Sequence, residues 1–408
     1  MQRLSLDTFR PLILHAQLLD GRMSLGTGKE GAARVVERLG YVQIDTISRV
    51  ERAHHHTLWS RVPGYQPGMV EELQAVDKRV FEYWGHEASY LPMQDYRYNL
   101  PRMRNFSDPA VGWHRQLREK YQHLTPQILE RIKREGPLGS KDFEKPGGGR
   151  QGGWWDWKPA KTALELLFWQ GKLMVSERRG FQRVYDLTER VLPDWVDTRE
   201  PDEIELAQFY VRRALQSQVV ARAREIQLHL GGATAALVKK GLETLMESGE
   251  VRLLELAEDP RQPYFALSEK LNEKTKMSTP RVHILSPFDN VLIQRERTRR
   301  LFQFDFALEC YLPAEKRKTG YFLLPILWGE RFVGRMDAQA DRKRKTLILH
   351  NLVLEKDMNK PEDFLLSFAE ELNGYMKFNG CQHIEVLRTR PVNLKAKIKN
   401  SLRSLSGG

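Results

Sequence analysis

A repeat at a fixed offset constrains this chain more than any other feature. Residues 164–175 read LELLFWQGKLMV and residues 242–253 read LETLMESGEVRL. Leu164, Glu165, Leu167 and Gly171 thus recur 78 residues later as Leu242, Glu243, Leu245 and Gly249. In each copy an apolar face of helical period runs into a glycine, the residue that best tolerates positive φ just past a helix. β-type sequence follows: Leu173-Met174-Val175 leads to Gly180 and Val184-Tyr185-Asp186-Leu187, and residues 251–256 lead to Tyr264-Phe265-Ala266-Leu267. Helix, glycine stop, strand, turn, strand is the pattern of a winged helix. A fainter third copy is Val35-Val36-Glu37-Arg38-Leu39-Gly40, followed by Tyr41-Val42-Gln43-Ile44-Asp45.

Three such units are expected over residues 1–106, 120–195 and 200–275, with turn-rich linkers at 105–109 and 194–202. After Pro280 short apolar runs (282–285, 302–306, 321–327, 332–336 and 347–349) alternate with Pro, Gly or charge clusters. They predict a β-rich unit over 280–390, with a helix near 361–378 and a last strand at 384–387. Residues 391–408 are a basic tail, expected to fray. The fold class is α+β: three tandem winged-helix units and a C-terminal β-rich, barrel-like subdomain.

Lys plus Arg number 65 against 53 Asp plus Glu, a net charge of +12. That excess favours a polyanionic partner, nucleic acid or an acidic membrane face. The longest strongly apolar stretch, 321–328, is far short of a membrane span and contains Pro325. The first residues show no signal-peptide pattern. The two cysteines, Cys310 and Cys381, are too few for a disulfide framework and read as small buried hydrophobes in a reducing, cytoplasmic compartment. The chain has no Walker-type glycine loop, no His-Glu-x-x-His and no Gly-x-Ser-x-Gly. ATP-driven work and serine hydrolysis are therefore not expected, a metal nuclease is disfavoured, and neither cofactor nor metal is expected.

On an extended strand Val42 and Ile44 face the core while Gln43 and Asp45 share the opposite face. Ser48-Arg49-Val50-Glu51 reads as a capping box opening a helix, which would leave Asp45 free for chemistry rather than capping. Arg49, Arg52 and His56 then fall on one helical stripe, and with Arg61 form a basic face for phosphates. The run His54-His55-His56 does not chelate well, because neighbouring residues on a helix diverge by about 100°. In Tyr83-Trp84-Gly85-His86-Glu87-Ala88 the titratable pair could serve as acid and base or only in packing. Trp154, Trp155 and Trp157 read as core residues or base-stacking platforms. Arg178, Arg179, Gln182 and Arg183 form a wing tip expected to meet the DNA backbone or minor groove. Lys316, Arg317 and Lys318, with residues 341–345, form basic hairpin-like loops suited to phosphates.

Taken together these segments resemble the AlkZ/YcaQ family of bacterial DNA glycosylases, and the YcaQ branch more closely. The resemblance runs through residues 41–47, 83–88, 153–159, 177–187, 285–289 and 334–338. It implies a C-shaped protein of tandem winged-helix units around duplex DNA, with Gln43 and Asp45 as the catalytic Gln-x-Asp. It further implies excision of N7-alkylated purines and unhooking of interstrand crosslinks through guanine N7, without a metal. A base alkylated at N7 is cationic and leaves readily, so a carboxylate that stabilises the sugar cation and orients water suffices. No lysine adjoins the motif to form a Schiff base, so a monofunctional enzyme is expected. The expected partner is double-stranded DNA with alkylated or crosslinked guanine, not a membrane, engaged by a monomer at the cytoplasmic nucleoid. A non-catalytic winged-helix regulator or a clamp for branched DNA would also account for the repeats and charge. On either reading Arg178→Ala or Arg52→Ala would flatten the salt dependence of DNA binding.

Overall fold

The computed structural model describes residues 2–21, 25–108, 112–143, 157–272, 280–355 and 361–406. The Trp-rich stretch at 152–156 lies outside them. The repeat reappears in space. Helices Gly28–Leu39, Trp157–Trp169 and Ala235–Glu247 are followed by Gly40, Gly171 and Gly249, at φ of 82°, 70° and 75°. Each glycine thus holds the left-handed conformation that stops its helix. Hairpins follow the second and third helices at once: Leu173–Arg179 with Gln182–Leu187, and Val251–Leu256 with Asp259–Leu267.

The first copy departs from the pattern. Its strand is only Val42–Gln43, paired antiparallel with Ala88–Pro92, which in turn pairs with Val80–Trp84. Two helices, Ala53–Trp59 and Gly68–Ala75, lie between. The chain's first residues also serve a different unit from the expected one. Gln2–Leu4 runs parallel to the third hairpin, with Gln2 opposite Leu254, and becomes an edge strand of that sheet. Helix Leu6–Ala16 then buries Phe9 and Ile13 against Leu254, Tyr264 and Leu292.

The β-rich unit is a six-stranded curled sheet, half of a barrel, built from Val282–Ile284, Leu323–Trp328, Arg331–Asp341, Thr346–Leu354, His383–Val386 and Thr389–Arg390. Helix Pro361–Phe378 packs Phe364, Phe368 and Tyr375 onto its apolar face. The run at 302–306 is not a strand: it closes helix Arg295–Phe302 and continues as irregular chain. The tail forms helix Leu394–Ser406, because Leu394 and Ile398 recur at helical spacing and are buried in the same core. None of the described helices is long and apolar enough to cross a membrane.

Buried ion pairs join the units. Arg61, from the first unit, meets Asp289 of the β-rich unit through two bonds of 2.7 and 2.8 Å, and both side chains are 0% exposed. Another lies under the second hairpin. Its tip folds back onto the first unit: Arg178 and Arg183 both bond the fully buried Glu82, and Phe181 lies beneath Arg178 and Arg52.

A buried pair broken on one side strands the other charge. Arg61→Ala should therefore lower unfolding free energy by about 3–5 kcal/mol in denaturant titration. A loss below ~1 kcal/mol, as for exposed pairs, would show that Asp289 finds water or another partner. Glu82→Gln should likewise destabilise the protein while leaving the salt dependence of DNA binding as it was. A flattened salt dependence would return the second hairpin to the DNA interface.

Candidate active site

The Gln-x-Asp motif sits where the first unit's shortest strand gives out. Val42 and Gln43 pair opposite Tyr90 and Ser89, and the Ile44 N–H reaches the Ala88 carbonyl at 2.8 Å. Val42 and Ile44 enter the first unit's core. Gln43 is 6% exposed, and its Oε1 is buried with no hydrogen-bond partner among the described residues. Asp45 begins a turn: its Oδ1 accepts the Ile47 N–H at 2.7 Å. Asp45 is half-buried, and burial raises its pKa. The Ile47 and Thr46 amides and Arg52 pull it partly back.

The expected capping box is absent, and Asp45 itself caps the turn. Helix Ala53–Trp59 starts five residues after Ser48, with Arg52 at its N-cap making no side-chain cap. The cause lies across the interface. The β-rich unit claims the backbone groups that a longer helix would use: Ala340 N–H bonds Arg49 O at 2.9 Å, Arg342 bonds Ser48 O at 3.1 Å, and Asn379 Oδ1 takes the Glu51 N–H at 2.7 Å. Ile47, Val50 and Ala53 meanwhile pack into the β-rich core. The motif's loop is stretched between two units rather than wound.

That tension redistributes the expected basic face. Arg49 precedes the helix, with its guanidinium 5.2 Å over the Tyr321 ring and 3.9 Å from the Asp337 carboxylate. Arg52 stacks on Phe181 at 4.1 Å. His56 is buried, its Nε2 2.8 Å from Ile284 O, and Arg61 is sealed against Asp289, so neither has a surface to offer DNA. Of the second hairpin's residues, Arg178 and Arg183 are held by Glu82, whereas Arg179 and Gln182 are exposed, Arg179 beside Glu177. Lys316 and Lys318 are exposed on the long loop before Leu323–Trp328, which carries a 3-10 turn at Ala314–Lys316 and is not a hairpin. Arg317 there lies 4.7 Å over Tyr321 and donates to Leu312 O. Residues 341–345 do form a hairpin turn.

The same loop supplies neighbours that no local sequence signal marked. The charge of Asp45 reaches Cys310 and Tyr311: burial, then Asp45, raises both their pKa values. Tyr311 is 71% exposed and Cys310 only partly buried, unlike the buried Cys381. Glu87 acts on Tyr311 as well, from the turn between the first unit's long strands. His86, in that turn, bonds Leu228 O at 2.9 Å and stacks on Tyr41. Behind the motif, His54, His55 and Glu71 bring three potential ligand atoms within 4.8 Å. Tyr65 occupies His55 Nδ1 at 2.9 Å, and Arg52 and Arg178 act on both imidazoles. That positive charge opposes a dication. Burial, aided by the arginines, instead holds His55 down at about 3, and burial pushes Glu71 up to about 7.

A half-buried carboxylate beside a buried, unpartnered amide oxygen, at the rim of an exposed aromatic loop, can hold a water molecule against a cationic or electron-poor centre. Residues 36–378 match the family described as DNA glycosylase AlkZ-like. The fold is similar to that of DNA glycosylase AlkZ from Streptomyces sahachiroi, with a TM-score of 0.65 at 17% identity over 95% of this chain and 100% of that one. With its family match spanning most of its length, this chain belongs to the AlkZ-like DNA glycosylase family.

Proposed function

We propose that the protein hydrolyses the N-glycosidic bond of purines alkylated at N7, unhooks interstrand crosslinks through guanine N7, and acts without a metal and without lyase activity. The observation that carries this reading is Gln43 Oε1, buried and without a partner among the described residues, two residues from the half-buried Asp45. An unpaired buried acceptor is costly unless a ligand or water satisfies it. Water seated between the Gln43 amide and the Asp45 carboxylate attacks C1′ and gives its proton to Asp45. The N9 bonding pair departs with the base, whose positive charge it neutralises. The carboxylate also faces the developing sugar cation. The exposed Tyr311 at the rim suits an open site, which a crosslinked base needs because it cannot swing into a deep pocket.

The test uses one duplex with a single N7-methylguanine and another with a single N7-guanine crosslink, alkali converting abasic sites to strand breaks. Wild type should yield alkali-dependent breaks on both. Asp45→Asn should retain DNA binding and lose about 10²- to 10⁴-fold in single-turnover rate, the usual contribution of acid–base catalysis. Tight binding with no abasic product from either duplex would favour a non-catalytic DNA-binding role.

The pH profile adds a second check. The working form of Asp45 is the carboxylate, and burial lifts its pKa above the ordinary aspartate value. Activity should therefore fall as pH drops through that raised pKa, and Asp45→Asn should lack this limb. The same limb in both proteins would assign it elsewhere.

A further inference from the structure

The loop carrying Tyr311 also walls a cavity of about 730 Å³ on the β-rich unit, separate from the Gln-x-Asp turn but joined to it through Arg49. Its lining comes from three directions: Arg317 and Lys318 of the loop, His350 of the central strand, and Arg388, Arg390 and Lys395 from the segment entering the last helix. Asp337 is the only carboxylate among these described lining residues. Both its oxygens already accept backbone amides, Tyr321 N–H at 2.9 Å and Phe322 N–H at 3.1 Å. Arg317 and Lys395 donate to carbonyls at the rim. The side chains of Lys318, Arg388 and Arg390 have no hydrogen-bond or ion-pair partner among the described residues.

We propose that this cavity is a phosphate site that seats two neighbouring phosphodiesters of the DNA strand flanking the target nucleotide. Arg388 and Arg390 flank the buried Thr389, so both face the open side. At about 3.3 Å per residue of extended chain they are roughly 6.6 Å apart along the strand, close to the separation of neighbouring phosphates. The helix Leu394–Ser406 begins at the cavity wall, where its amide dipoles favour an anion. Arg49 ties the cavity to the reaction centre: it lies four residues after Asp45 and stacks on Tyr321, a wall residue also covered by Arg317. A strand held here would have its position fixed relative to Asp45. The inference deepens the glycosylase reading and rests on its DNA substrate, though not on its chemistry.

Salt titrations of duplex binding, followed by fluorescence anisotropy, test it. Each lost phosphate contact lowers the slope of log K against log salt by about 0.9. Arg388→Ala/Arg390→Ala in the full chain should thus lower it by about 1.8, while Arg388→Lys/Arg390→Lys should keep the wild-type slope. A duplex carrying one neutral methylphosphonate, moved position by position past the lesion, should bind wild type more weakly at one or two positions and the alanine double variant no more weakly there. An unchanged slope for the alanine variant, a lysine variant as impaired as the alanine one, or equal methylphosphonate losses in both proteins at every position would each overturn the site. Failure of the two ideas is distinguishable. A reduced slope with no abasic product from wild type leaves the phosphate site standing without the glycosylase chemistry. Abasic product with an unchanged slope does the reverse, and a wild type that binds no duplex overturns both.

Discussion

A carboxylate and a guanidinium that are both sealed from water, as Asp289 and Arg61 are, admit few arrangements in which neither charge is stranded. The pair sets the spacing between the first unit and the β-rich unit, and the active-site loop inherits that spacing. Asn290, next to Asp289, reaches the carbonyl of Tyr41 at 3.0 Å, immediately before Val42 and Gln43. Ten residues before Arg61, Glu51 is fastened to Asn379 of the β-rich unit. Between these points residues 44–50 have little freedom, so Asp45 keeps its place without a helix beneath it. Domain stabilities are ordinarily about 5–15 kcal/mol, so stranding one charge of such a pair costs a large share of that margin.

The net charge of +12 points to DNA, but much of the positive charge is turned inward. Arg61, Arg178 and Arg183 each neutralise a buried carboxylate, and Arg49 and Arg52 lie on aromatic rings. Arginine suits such places because its planar, weakly hydrated group stacks and binds carboxylates in parallel. Lys316 and Lys318 stay exposed on the β-rich unit's loop, and Arg388 and Arg390 on its last segment, without side-chain partners among the described residues. On the proposed phosphate site, that unit would carry more of the DNA-facing surface than the hairpin of the second repeat.

How much of this was readable in the sequence follows from the range of the forces involved. The helix stops at Gly40, Gly171 and Gly249 are local backbone requirements, and the repeat displayed them. The burial of Val42 and Ile44 in the first unit's core followed from alternation alone, though the strand ends at Gln43 and Asp45 begins a turn. The helix expected from Ser48 failed because its backbone partners, Ala340 and Asn379, are about three hundred residues away. That Arg178 and Arg183 are held rather than free was hidden for the same reason: Glu82 lies 96 residues before Arg178. Tyr311 stood in a charge-rich loop with nothing nearby to mark it. The last helix was missed where its Leu394, Ile398 and Leu402 spacing was present but overshadowed by lysines.

The edge strand Gln2–Leu4 carries a consequence for biosynthesis. Its partner, Leu254–Leu256, is made 252 residues later, a wait on the order of 10–50 s at about 5–20 residues per second. Throughout that time this segment has no sheet to join, and Phe9 and Ile13 of the helix after it have no core. The second repeat can close as it emerges, since its helix and hairpin are neighbours in the chain. The third repeat finishes only when that earlier-made segment returns to it, so its sheet is completed across the length of the chain rather than locally.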